Sequence, residues 1–317
     1  MIVTFFSIKG GTGRSMALVN IGEVFAQAGL RVLLVDFDLE APSLEMFYPD
    51  KTQTILDSRG VVDLITSYKH AIATPGSLYQ TADSPSPFED IRSLMVNVRN
   101  EVSGGTVDLI PVGRRSADSM SQYANVVRTF DWKDFYEKWE GELYFRWLRQ
   151  QFDEHADVTL VDCRTGITDA GGVCCGQVAD VVVLLTTMNL QQISGSDMMV
   201  SKLRDARLAE LRDTSLKLIV VPSRIEFNEL ALLDEFKEKF VTLFGKSIPE
   251  EITSDDLWNS AIPYDPRYRY GTYIVRQDLG SDPLKHSYTR IAELLSRLAP
   301  PDSPFFKTGI KLNAPIK

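Results

Sequence analysis

Residues 9–15 read KGGTGRS and stand between two different patterns. Before them runs an apolar stretch that includes Ile2, Val3, Phe5, Phe6 and Ile8; after them apolar residues recur at helical spacing. A strand, a glycine loop and a helix in that order make a cradle for a phosphate chain. Gly10, Gly11 and Gly13 admit backbone angles and close approaches that a Cβ would obstruct. The loop N–H groups can then face anionic oxygens, with the positive end of the next helix behind them. Ser15 falls where a hydroxyl can ligate Mg²⁺ in such loops. Two positions depart from the general pattern: Ile8 stands where the first glycine belongs, and Arg14 where the lysine belongs.

The rest of the chain repeats the alternation. Residues 2–8, 31–36, 157–162, 180–187 and 216–222 are nearly continuous apolar runs and predict strands buried on both faces. Helical patterns cover about 14–28, 190–212, 228–244 and 284–298 by their apolar spacing. In the first of them Leu18, Ile21, Phe25 and Ala28 share one face, and Gly29 is the stop. Alternating strands and helices predict an α/β fold, a mostly parallel sheet with helices on both faces. Ligands of such sheets sit at the carboxyl ends of the strands. The glycine loop, the pair Asp36/Asp38 and Asp162 all follow such ends.

Residues 50–155 interrupt this rhythm. Residues 76–90 are rich in Pro, Ser and Asp and predict a loop. Residues 93–112 predict a hairpin turning at Gly104-Gly105. Residues 130–147 hold three of the four tryptophans and read as core within the insert, with an exposed docking patch as the alternative. The chain therefore divides into a single domain over 1–300 with an insert at about 50–155, and a loosely ordered tail over 301–317.

Composition narrows the partners. The 34 Lys and Arg against 43 Asp and Glu give a formal charge of −9, which disfavours DNA as a default partner. The mixed charges of the 202–217 segment read as a solvated helix face. No run of eighteen apolar residues is present, so no membrane span is expected. A basic leader and cleavage site are lacking at the first residues, so export is not expected. Three cysteines, Cys163, Cys174 and Cys175, are too few for a disulfide framework and fit a cytoplasmic protein. The adjacent pair reads as small buried residues, and His70, His155 and His286 show no ligand or triad pattern.

Four segments in order carry a resemblance to a known family. KGGTGRS resembles KGGxGK[ST]. VLLVDFDLEAPSL resembles a second strand ending in DxD. VTLVDCRTG resembles a Walker B strand. AIPYDP, residues 261–266, resembles the segment that borders the nucleotide base. The sequence thus resembles the ParA/MinD-type ATPases, the deviant Walker A branch of the P-loop NTPases, over roughly 1–48 and 157–298. The arginine form, KGGxGR, resembles a variant subgroup of that family.

The resemblance implies ATP and Mg²⁺ as ligand and cofactor, and roles for individual residues. Gly10, Gly11, Thr12, Gly13, Arg14, Ser15 and Met16 would cradle the phosphates. Lys9 would cross a nucleotide-sandwich homodimer to the partner's phosphates. Asp38 would orient the attacking water. Ser15, Asp36 and Asp162 would hold Mg²⁺ or its waters, and Arg164-Thr165-Gly166 would form a second switch. Glu40 is a switch-loop residue without an assigned role. Ser223 and Arg224 would touch the base on one side, and Pro263, Tyr264 and Asp265 would form the other wall. Adenine is favoured because the guanine-specifying NKxD pattern is absent. Arg14 keeps its charge and offers a planar fork, so it can still grip phosphate.

The expected function is an ATP-binding and ATP-hydrolysing switch that forms a homodimer and regulates an unidentified protein partner, without DNA or membrane. The alternative is a nucleotide-gated scaffold with little or no turnover, because Arg14 replaces the lysine.

Overall fold

A computed structural model of the chain describes residues 1–73, 88–166, 168–204, 215–227, 230–269, 271–275, 282–301 and 303–305. Eight strands form the sheet: β1 (Ile2–Phe6), β2 (Arg31–Phe37), β3 (Val96–Asn100), β4 (Thr106–Ile110), β5 (Val158–Cys163), β6 (Val181–Thr186), β7 (Lys217–Ile225) and β8 (Ile262–Pro263). Their order is β3-β4-β2-β5-β1-β6-β7-β8. β3 runs antiparallel to β4; the other pairings are parallel. The central strands β1, β5 and β6 are buried at every position, as their unbroken apolar runs require.

The main helices are α1 (Arg14–Gln27), α2 (Thr52–Asp57), α3 (Val61–Ala73), α4 (Met120–Thr129), α5 (Trp132–Lys138), α6 (Gly141–His155), α7 (Asp169–Val173), α8 (Leu190–Leu203), α9 (Leu230–Phe244), α10 (Ser254–Asn259) and α11 (Pro283–Leu298). They cover both faces. Gly22 of α1 lies so close to β2 that a Cβ there would stand 3.0 Å from Leu34, with Val32 and Leu160 beside it. Phe37, of opposite parity in β2 and so on the other face, packs against Trp132 and Phe145.

Three expectations are modified by the structure. The α1 helix buries more than one face: Ala17, Val19 and Ala26 are as enclosed as Leu18, Ile21 and Phe25. The reason is its position between the sheet and α11, with Phe305 standing edge-on to Phe25 at 4.7 Å. Phe305, the first aromatic of the tail, is therefore a buried anchor. The 93–112 hairpin forms as read, with Gly104 at φ +89 in its turn, but it is part of the main sheet. β4 lies parallel to β2, with Arg31 to Val35 opposite Thr106 to Ile110.

The aromatic segment packs as core. Phe135, Tyr144 and Phe145 are buried, and their rings contact one another and reach Phe37 of the sheet. The three cysteines are buried free thiols. The 76–87 part of the Pro/Ser-rich loop, the 205–212 end of the helix expected over 190–212, residues 228–229 of the helix expected over 228–244, and the tail from 306 lie outside the described residues. No helix among the described residues is long and apolar enough to cross a membrane.

Phe145 joins the insert to the sheet, so its truncation should cost what a large core truncation costs. We expect Phe145→Ala to lower stability by about 3–5 kcal/mol, read as the shift of the urea midpoint. A loss below about 1 kcal/mol would show that this cluster is peripheral.

Candidate functional site

The glycine loop leaves β1 and enters α1 through two left-handed residues, Gly11 at φ +77 and Gly13 at φ +83. Gly13 is the N-cap of α1 and offers no side chain, so the first turn of the helix has no side-chain cap. Its amides are left for another acceptor, the arrangement that suits an anion. Two orphan donors deepen this demand. The Thr12 hydroxyl and Arg14 Nη1 are buried and lack a hydrogen-bond partner among the described residues. Buried donors of this kind are costly unless a ligand accepts from them.

Two cavities meet at the loop. One, of about 360 Å³, is lined by the loop together with Ser7, Asp38, Phe47 and Thr165. The other, also about 360 Å³, is lined by Ser223, Arg224, Pro263, Tyr264, Asp265 and Tyr288. Gly11, Thr12, Gly13 and Met16 line both. A nucleotide has this bipartite shape, with phosphates at one end and a base at the other, and the sizes fall in the range of small-molecule sites.

The end of β7 holds the loop in place. Ser223 Oγ donates to the Thr12 carbonyl at 2.5 Å, and Arg224 Nη1 donates to the Gly11 carbonyl at 2.6 Å. Arg224 has φ +57, an uncommon angle for a side-chain-bearing residue. Its guanidinium also lies 5.2 Å from the centre of the Tyr264 ring. The two residues expected at the base thus have their polar ends on the phosphate loop. Lys9, which is exposed, donates to Gln191 Oε1 of α8 at 2.5 Å.

The carboxylates converge as the sequence implied, because parallel pairing sets Asp36 opposite Asp162. What occupies them is a different matter. Arg14 folds back from the loop. Its Nε donates to Asp162 Oδ1 at 2.5 Å and its Nη2 to Asp38 Oδ2 at 2.8 Å. Ser15 Oγ donates to Asp162 Oδ2 at 2.5 Å. Arg14 is only 7% exposed and Asp162 1%, so this is an interior ion-pair network rather than a surface one. Burial alone would lower the Arg14 pKa; Asp162 and then Asp38 outweigh it and raise the value. Burial pushes the Asp162 carboxyl up, against the pull of Arg14 and Ser15. Asp36 is raised further, by burial first and by Asp162 and Glu45 next.

Asp36 is occupied as a backbone clamp. Its Oδ1 accepts from the Asp38 amide at 3.2 Å, and its Oδ2 from the Ser43 and Leu44 amides at 3.3 and 3.4 Å. It shapes the 38–44 turn. Every carboxylate oxygen of Asp36 and Asp162 therefore already accepts a hydrogen bond. The cationic position beside Asp162 and Asp38 is filled by the guanidinium, so these carboxylates as they stand do not fit Mg²⁺, whereas Ser15 Oγ, which donates to Asp162, keeps its lone pairs.

Several contacts around the site could not be read from local sequence. Glu45 and Arg115 form a buried ion pair at 2.9 Å. Tyr123 of α4 donates to the Leu39 carbonyl at 2.5 Å. Arg164 pairs with Glu40 and so links the segment after β5 to the one after β2. The role left open for Glu40 is this bridge. Each contact joins residues at least 70 positions apart, which no short motif records.

The chain matches the CobQ/CobB/MinD/ParA nucleotide binding domain over residues 3–264, and it belongs to that family. Among curated protein sequences none is similar enough to count as a match. Solved structures with the same fold include three that span most of the chain. An ATP complex of a Cyanothece McdA variant has a TM-score of 0.57 and 15% identity, covering 93% of this chain and 95% of that one. A ParA family ATPase from Chlorobium tepidum has a TM-score of 0.57 and 16% identity, covering 90% and 95%. The septum site-determining protein MinD from Pyrococcus horikoshii, complexed with Mg-ADP, has a TM-score of 0.55 and 16% identity, covering 94% and 98%.

Removing Arg14 would leave Asp38 and Asp162 buried without their cation. Loss of one partner from a buried pair typically costs about 3–5 kcal/mol. We expect Arg14→Ala to lower the stability of the nucleotide-free protein by about that amount, and Arg14→Lys by clearly less, as read by denaturant unfolding. Equal stabilities of wild type and Arg14→Ala would contradict the network.

Proposed function

We propose that this chain is a nucleotide-dependent switch that binds ATP across the two cavities and uses the bound state to form a homodimer and engage a protein partner. The observation that carries the reading is the meeting of the two cavities at Gly11–Gly13, beneath an uncapped helix start with orphaned donors. ATP is the triphosphate proposed because the relatives of the same fold include ATP and Mg-ADP complexes and the guanine-specifying pattern is absent. Pro263, Tyr264 and Asp265 stand on the wall proposed for the base. Ser223 and Arg224 are proposed to act on the base only through the loop they hold. Lys9, exposed at the rim, is proposed to reach the partner's phosphates once it leaves Gln191. The magnesium site implied by the resemblance is not part of this proposal, since Arg14 already holds its carboxylates.

In the hydrolytic form of this reading, Asp38 releases Arg14 and orients a water for in-line attack on the γ-phosphate. Catalysis is then positioning and charge neutralisation. The second reading, a nucleotide-gated scaffold, is favoured by one observation: Asp38 Oδ2 is engaged by Arg14 at 2.8 Å. A carboxylate held in a buried ion pair is a poor acceptor for a reacting water's proton.

Light scattering tests the switch. We expect ATP to convert monomer to dimer, and Lys9→Ala to retain ATP binding while remaining monomeric. A wild-type monomer that ignores saturating ATP would remove the proposed mechanism. Phosphate release then separates the two forms. Turnover in wild type that Asp38→Ala abolishes supports hydrolysis; no release by either protein, with ATP bound to both, supports the scaffold.

A further inference from the structure

We propose that Arg14 is the resident cation of this site, bridging the two carboxylates to the phosphate chain, so that the chain binds ATP without a divalent metal ion. This rests on the nucleotide reading above and deepens it by naming the ionic form of the ligand.

The geometry argues for it in three steps. First, a metal-dependent phosphate site needs carboxylate oxygens that can turn toward the ion or its waters. Here Asp162 is held on both oxygens, by Arg14 Nε at 2.5 Å and by Ser15 Oγ at 2.5 Å, and Asp38 Oδ2 is held by Arg14 Nη2 at 2.8 Å. A cation that entered between them would have to break two charge-assisted hydrogen bonds among nearly buried groups. Second, guanidinium does not lose its charge on burial, whereas an amine can. The arginine is therefore a permanent counter-ion, placed by the chain itself. Third, the guanidinium has more donors than the carboxylates use. Nη1 is buried and finds no acceptor among the described residues, and Arg14 forms part of the wall of the loop cavity. A phosphate oxygen is the acceptor that such an N–H suits, since arginine forks match phosphate geometry. The Thr12 hydroxyl, likewise buried and without a partner among the described residues, offers a second donor from the same loop.

A lysine at position 14 could not do this. Its three donors radiate from one compact ammonium and cannot span two carboxylates and a phosphate along a planar fork. The substitution is thus a change of cation rather than a conservative swap. A magnesium ion brings two charges to a triphosphate and the guanidinium only one, so the site should hold the nucleotide more loosely than metal-dependent relatives. It should also be indifferent to chelators.

The test is calorimetric titration of ATP into the full chain, once with excess EDTA and once with Mg²⁺ in excess over ATP. For wild type we expect the dissociation constants to agree within about threefold. For Arg14→Lys, which keeps a charge at the position, we expect EDTA to weaken binding by more than about tenfold. A wild type that binds ATP with Mg²⁺ but loses more than about tenfold in EDTA overturns this inference and leaves the nucleotide reading intact. A wild type that binds ATP under neither condition overturns both. A second measurement needs no nucleotide. Mn²⁺ titrated into the protein and followed by the electron paramagnetic resonance of the free ion should find no site in wild type and a new one in Arg14→Lys. A wild type that takes up Mn²⁺ as tightly as the variant would show that the carboxylates are open to a metal and would also overturn the inference.

Discussion

The interaction on which the site depends is the grip of the Arg14 guanidinium on Asp162 and Asp38. Three chain segments far apart in sequence end at this one group: the start of α1, the end of β5 and the turn after β2. The partners are nearly dry, so the pair is not the kind of surface contact that salt dissolves. Its strength lies in what its loss would leave behind, two enclosed carboxylates without a counter-charge. That asymmetry makes the residue hard to replace, whatever its part in binding.

The neighbouring structure reads as support for that arrangement. Asp36 has no role at the ion pair itself; it gathers three backbone amides and gives the turn after β2 its shape. Ser223 and Arg224 fix the carbonyls of the glycine loop from the other side. The arginine at φ +57 carries backbone strain, and its hydrogen bond to the loop and its contact with Tyr264 are what hold it there. Glu45 with Arg115, and Arg164 with Glu40, tie the turns around the site to each other.

Much of this was legible from residues alone, and the line between what was and was not is physical. The strands were readable because burial on both faces leaves an unbroken apolar run, as in β5 and β6. The carboxylates were readable because strand ends in a parallel sheet share an edge, which brought Asp36 opposite Asp162. Periodicity placed α1 but understated its burial, since a helix enclosed on several sides has no polar stripe to mark where burial ends. The place of β4 in the sheet was hidden too: strand order is set by packing between distant segments, and the hairpin pattern of 93–112 states only its local partner. Most of all, local sequence could say that Arg14 follows three glycines but not which way it turns. Its direction is decided by carboxylates 24 and 148 positions away. The same holds for Ser223 and Arg224, whose position at a strand end suggested a base and whose side chains reach the loop instead.

A crystal structure of the full chain grown with ATP and a chelator addresses the central claim most directly. We expect a triphosphate along Gly10–Ser15, with Arg14 still donating to Asp162 and Asp38 and its remaining nitrogen on a phosphate oxygen. A guanidinium swung away from both carboxylates, with Asp162 left to water, would contradict it.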